Sequence, residues 1–76
     1  MKENDLVMFT DEGTYAKWFY GKLAIVKSVS IVSDTYKPNK QVMHCRVEWI
    51  NPVKYFHTFT KSSDFSADKF TVQQSN

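Results

Sequence analysis

The stretch Met43 to Thr60, MHCRVEWINPVKYFHTFT, constrains this chain most. Met43, Cys45, Val47 and Trp49 alternate with His44, Arg46 and Glu48, the period of two of a strand with one dry and one wet face. Asn51-Pro52 interrupts the run, because proline has no amide proton for a ladder and turns the residue before it away from helix. Tyr55 to Thr60 is rich in aromatic and β-branched residues and reads as the returning arm, so the sequence predicts a hairpin turning at Asn51-Pro52.

The rest of the chain supplies partners. Asp5 to Thr10 reads as a first strand with Val7 and Phe9 facing the core. Asp11-Glu12-Gly13 is turn chemistry, and Tyr15, Trp18 and Phe19 then recur at i, i+3 and i+4, one face of a short helical turn. Asp11 to Tyr20 is thus expected to be a folded loop laying aromatic rings over one end of the sheet, ended by Gly21. In Lys22 to Ser33, Leu23, Ile25, Val29 and Ile31 share a parity that Lys27 interrupts, which predicts a long strand bent there. Asp34 to Lys40 reads as a turn, Lys61 to Asp64 as a loop, Phe65 to Asp68 as one helical turn, and Phe70 and Val72 as a short last strand. The expected core is Val7, Leu23, Ile25, Val47, Trp49 and Phe70 with Cys45 among them.

Together these elements predict a single all-β domain over residues 1–76, ordered from about 5 to 72. Its expected form is a small five-stranded barrel with a long aromatic loop after the first strand and a helical turn before the fifth. With 16% aromatic residues among 76, the chain can fill a small core with large side chains.

Asp5-Leu6-Val7, Gly21 to Val26, Cys45 to Trp49 and Phe65 to Val72 resemble small, mostly uncharacterised SH3-like proteins of marine tailed bacteriophages. The resemblance spans about residues 5 to 72 and implies an SH3-like barrel of phage origin, acting in the virion or the host cytoplasm. Gly21-x-x-Ala24-x-Val26 is also similar to the start of NusG-type KOW modules. The basic loop that follows in those modules is missing here, which argues against RNA or ribosome binding.

Chemistry is sparse. Net charge is +2, and nine of the ten cationic residues are lysine, with Arg46 alone suited to bidentate recognition. One cysteine cannot form an internal disulfide, and with two histidines it is too little for a structural zinc site. No uncharged stretch approaches the ~20 apolar residues of a membrane helix, and the start lacks signal-peptide character, so an intracellular protein without a membrane partner is expected. His44 and Cys45 are strand neighbours on opposite faces and cannot act as base and nucleophile, so Cys45 is expected to be a core residue. His44, Arg46 and Glu48 form a polar patch. The returning strand would add either His57 with Tyr55 or Thr58 with Phe56, depending on register. The first choice gives two histidines and a glutamate, and the ordinary reading of the patch is a solvated face with a cross-strand ion pair. No phosphate loop, carboxylate pair or serine elbow is present, so neither enzymatic activity nor a cofactor is expected.

The surplus lies in aromatics. Tyr15, Trp18, Phe19 and Tyr20, with Tyr55 and Phe56, include contiguous rings that a small core cannot all bury, which points to a protein-binding or self-associating surface. Apolar neighbours such as Ile25-Val26 and Ile31-Val32 point the same way, toward a homo-oligomer. The alternative is single-stranded nucleic acid, stacking on Trp18, Tyr20 or Tyr55 while Lys17, Lys22, Lys27 and Lys54 neutralise phosphates.

Overall fold

The first strand, β1 (Leu6–Phe9), alternates half-buried and buried residues, and Val7 and Phe9 both point into the core. In the computed structural model, which describes residues 1–33, 36 and 39–76, β1 is followed by α1 (Ala16–Phe19), β2 (Leu23–Ser33), β3 (Gln41–Tyr55) and β4 (Thr58–Ser66). A 3₁₀ turn (Ala67–Lys69) then leads into β5 (Phe70–Gln74). The strands are all antiparallel neighbours in one sheet of order β4-β3-β2-β1-β5. The fold is therefore all-β. The expected closure into a barrel is corrected: β4 and β5 are edge strands with no ladder between them. The turn expected at Asp34 to Lys40 includes residues 34, 35, 37 and 38, which lie outside the described residues.

The bend at Lys27 is real, and it moves two of the expected core residues to the outer face. Val26 pairs with Val47 and Ser28 with Arg46, so Lys27 is an extra residue in a bulge. Inward parity therefore passes from Ala24 and Val26 to Val29, and Leu23 and Ile25 fall on the outer face instead of in the core. Leu23 is 40% exposed. Ala24 suits the inward position because Trp49 lies directly opposite, so a small residue makes room for a large one. Val7, Phe9, Val47, Trp49, Phe70 and Cys45 are buried as expected, joined by Phe19, Ala24, Val26 and Val53.

The β3–β4 hairpin turns later than expected. Glu48 pairs with Ser62 and Val53 with Thr60, so residues 49–52 are opposed by Lys61 alone and bulge away from β4. Pro52, lacking an amide proton, occupies this unpaired stretch without breaking the strand. Tyr55 pairs with Thr58, leaving Phe56-His57 as the two-residue turn. Lys61 to Asp64, expected as a loop, belongs to β4, and the helical turn falls at Ala67–Lys69 instead of Phe65 to Asp68.

Polar groups near the ends are satisfied. The indole of Trp49 donates to Ser63 Oγ at 3.0 Å. Buried Asp5 accepts from the amides of Asn76 and Lys2, each at 2.9 Å, and the Asn76 donor above all holds its carboxyl below the usual 3.8 despite burial. Lys69 ties the loop to the 3₁₀ turn, accepting from the amides of Thr10 and Asp11 and pairing with the Asp11 carboxylate at 3.4 Å. Among the described residues, no helix is long and apolar enough to cross a membrane.

This parity makes a paired prediction. Val47→Ala should cost about 2 kcal/mol or more, whereas Leu23→Ala should cost under about 1 kcal/mol. Denaturant unfolding of both checks it, and a larger loss at Leu23 would contradict the bulge.

Candidate interaction site

At the end of the sheet where β3 turns into β4, the loop after β1 folds back. Gly21, at φ +79, reverses the chain there; its amide donates to Phe9 O at 2.9 Å, and Phe9 donates to Lys22 O at 3.0 Å. This fastens α1 against β3. Phe19 plugs inward, stacked on Trp49 at 5.0 Å and on Tyr55 at 5.5 Å. Trp18, one position earlier, turns toward the hairpin tip and meets Tyr55 and Phe56, each at 4.8 Å. Tyr15 lies 6.3 Å from both Trp18 and Tyr55.

Five of the six aromatic residues expected at a binding surface thus form one cluster: Tyr15, Trp18, Phe19, Tyr55 and Phe56. Phe19 is its buried root. Tyr20 points elsewhere and is 52% exposed, without a place in this ring network. Phe56 is the most exposed ring of the cluster, at 60%, and its backbone stands at φ +57. A bulky residue in that left-handed region carries a cost of about 1 kcal/mol or more. Glycine or asparagine is the ordinary solution for such a turn, so the position holds a ring at the tip at the expense of backbone comfort.

Below the cluster, a shallow groove of ≈ 380 Å³ is lined by Tyr15, Tyr55 and Phe65 together with Arg46, Ser62 and Asp64. Phe65 was missed as a site residue. Placed on β4 opposite Cys45, it meets Tyr15 at 5.4 Å and Phe9 at 5.1 Å. The signal for it was length: the arm Met43 to Trp49 needs a partner of equal length, and only the chain after His57 could supply one.

The polar patch resolves differently from either expected register. His44, Arg46 and Glu48 face Ser66, Asp64 and Ser62 respectively, while His57 sits in the hairpin turn and does not join them. Arg46 Nη1 donates to Asp64 Oδ2 at 2.9 Å and Nη2 to Ser62 Oγ at 3.4 Å. This is an exposed pair worth at most about 1 kcal/mol. Among the described residues, no three histidine, cysteine, aspartate or glutamate side chains gather as a metal site. Comparison of the chain with protein-family models, with curated proteins and with solved structures gave no match.

Cys45 is buried, and burial, with a smaller contribution from the Asp64 charge, pushes its thiol up to about 11. The thiolate is therefore scarce at neutral pH. A disulfide reagent at pH 8 should leave the folded protein unmodified over a time in which the denatured chain reacts fully. Rapid reaction of the native protein would place Cys45 at the surface.

Proposed function

We propose that this chain is a non-enzymatic interaction module of phage type, a small open sheet of SH3-like strand order that presents its ring cluster to a protein partner or to another copy of itself. The strand order supports the SH3-like reading. So does the inner face, where Phe65 of one edge strand and Phe70 of the other approach to 6.1 Å across the open side. The aromatic loop after β1 and the 3₁₀ turn before β5 agree with the same plan.

The observation that carries the function is Phe56. An exposed ring kept at positive φ, packed edge-on against Tyr55 at 4.6 Å, is costly for folding and useful for contact. Tyr15 and Trp18 extend that contact into an amphipathic surface of the kind proteins use as anchors. A single-stranded nucleic acid is the weaker occupant. Stacking needs open ring faces, and Trp18 is already flanked by Tyr55 and Phe56, with the Lys17 ammonium 4.3 Å from its ring.

A photoreactive phenylalanine analogue at position 56 tests this reading. Crosslinks to protein are expected from position 56 and not from Ile50, an exposed control on another part of the surface. A labelled oligonucleotide at low salt should stay unbound. Salt-steep binding, with adducts to the oligonucleotide, would overturn the proposal in favour of nucleic acid.

A further inference from the structure

Charge is spread unevenly along this chain. Residues 13–33 hold Lys17, Lys22 and Lys27, residues 49–63 hold Lys54, His57 and Lys61, and neither stretch contains an aspartate or glutamate. These are the two stretches that build the ring cluster. The first supplies Tyr15 and α1, and the second supplies Tyr55 and the hairpin tip.

The acids that come nearest are engaged or face elsewhere. Asp64, which borders the groove, is held by Arg46 at 2.9 Å, and Asp11 at the start of the loop is held by Lys69 at 3.4 Å. Glu48 sits on the outer face between Ile25 and Ser62, and Glu12 precedes Gly13 on the approach to α1. Lys17, Lys22, Lys54 and Lys61 are exposed and take part in neither pair. Lys17 lies 4.3 Å from the Trp18 ring. Lys54 precedes Tyr55 and pairs across the hairpin with Phe59, a ring that is 70% exposed.

Rings at the centre with ammonium groups around them make an apolar anchor inside a charged rim of one sign. Such a rim steers acidic partners in and sets a like-charge penalty against basic ones. A second copy bound through the same face would bring lysine against lysine. The groove of ≈ 380 Å³ beside the rings suits a chain segment with side chains to seat, whereas a flat lipid surface would reach the tip rings alone.

We propose that the ring cluster receives an acidic segment of a different protein, with apolar side chains against Tyr15, Tyr55 and Phe56 and carboxylates meeting Lys17, Lys54 and Lys61. The inference rests on the function reading above and chooses between its two occupants.

Selection of short random-sequence peptides on the immobilised protein tests it. The retained peptides should be enriched in aspartate and glutamate interspersed with apolar residues. A retained peptide should bind K17E/K54E at least about tenfold more weakly, and its affinity should be unchanged in K40E, altered at the far end of β3. Absence of retained peptides, retention without acidic enrichment, or equal binding to K17E/K54E would each overturn the proposal. Peptides without acidic enrichment that are lost in F56S would leave the function reading standing, and acid-rich peptides indifferent to F56S would remove the ring cluster as well. Salt-steep retention of a labelled oligonucleotide, or of phosphatidylserine vesicles, that is lost in K17E/K54E would hand the surface to nucleic acid or lipid. A dimer of the unsubstituted protein that is lost in F56S would hand it to a second copy. Should K17E/K54E fail to fold, salt decides on the unsubstituted protein: peptide affinity should fall steeply as salt is added, and affinity independent of salt would overturn the proposal.

Discussion

Phe9 holds the molecule together. Its ring meets Phe19 from the loop at 5.8 Å, Trp49 of β3 at 6.5 Å, Phe65 of β4 at 5.1 Å and Phe70 of β5 at 5.4 Å. One fully buried side chain thus gathers the loop and both edges of a sheet that is not closed by hydrogen bonds. Large tilted and edge-on rings suit this task, because each buries a wide area and fixes the angle of its neighbours. The same network continues outward through Phe19 and Tyr55 to Trp18 and Phe56. Core and candidate surface are therefore one packing unit.

How far the sequence could be read depended on where strands keep their alternation. Val7, Phe9, Cys45, Val47 and Trp49 lie in uninterrupted period-two runs, and all are buried. Leu23 and Ile25 looked equivalent to Val29 because the sequence offers one parity across Lys27. The bend at that lysine was legible, but the change of face that a one-residue bulge imposes was not applied to the residues before it. Asn51-Pro52 misled for a related reason. Proline forbids a ladder hydrogen bond, and an unpaired bulge satisfies that rule as well as a turn does.

The site was legible where its rings follow a helical spacing. Tyr15, Trp18 and Phe19 recur at i, i+3 and i+4, and a single turn, Ala16–Phe19, delivers Phe19 to the core and leaves Trp18 at the rim. Tyr55 and Phe56 could be recognised as a surplus but not placed, because the hairpin register was open. The positive φ of Phe56 has no sequence signature, since phenylalanine is among the residues least expected there. The cross-strand ion pair expected at the polar patch is present, but Phe65 and Asp64, the partner of Arg46, stayed hidden behind Ser62-Ser63, which reads as a loop until the length of β3 demands a partner.

If the ring network makes loop and sheet a single cooperative unit, the loop cannot open alone. Native-state amide exchange measures this directly at Tyr20 and Gly21, whose amides donate to Ala16 O and Phe9 O. The account predicts that both exchange with nearly the same opening free energy as Val47 in the core strand. Exchange at Tyr20 and Gly21 through a much cheaper local opening, with Val47 still protected, would contradict it and make the ring cluster a mobile appendage of the sheet.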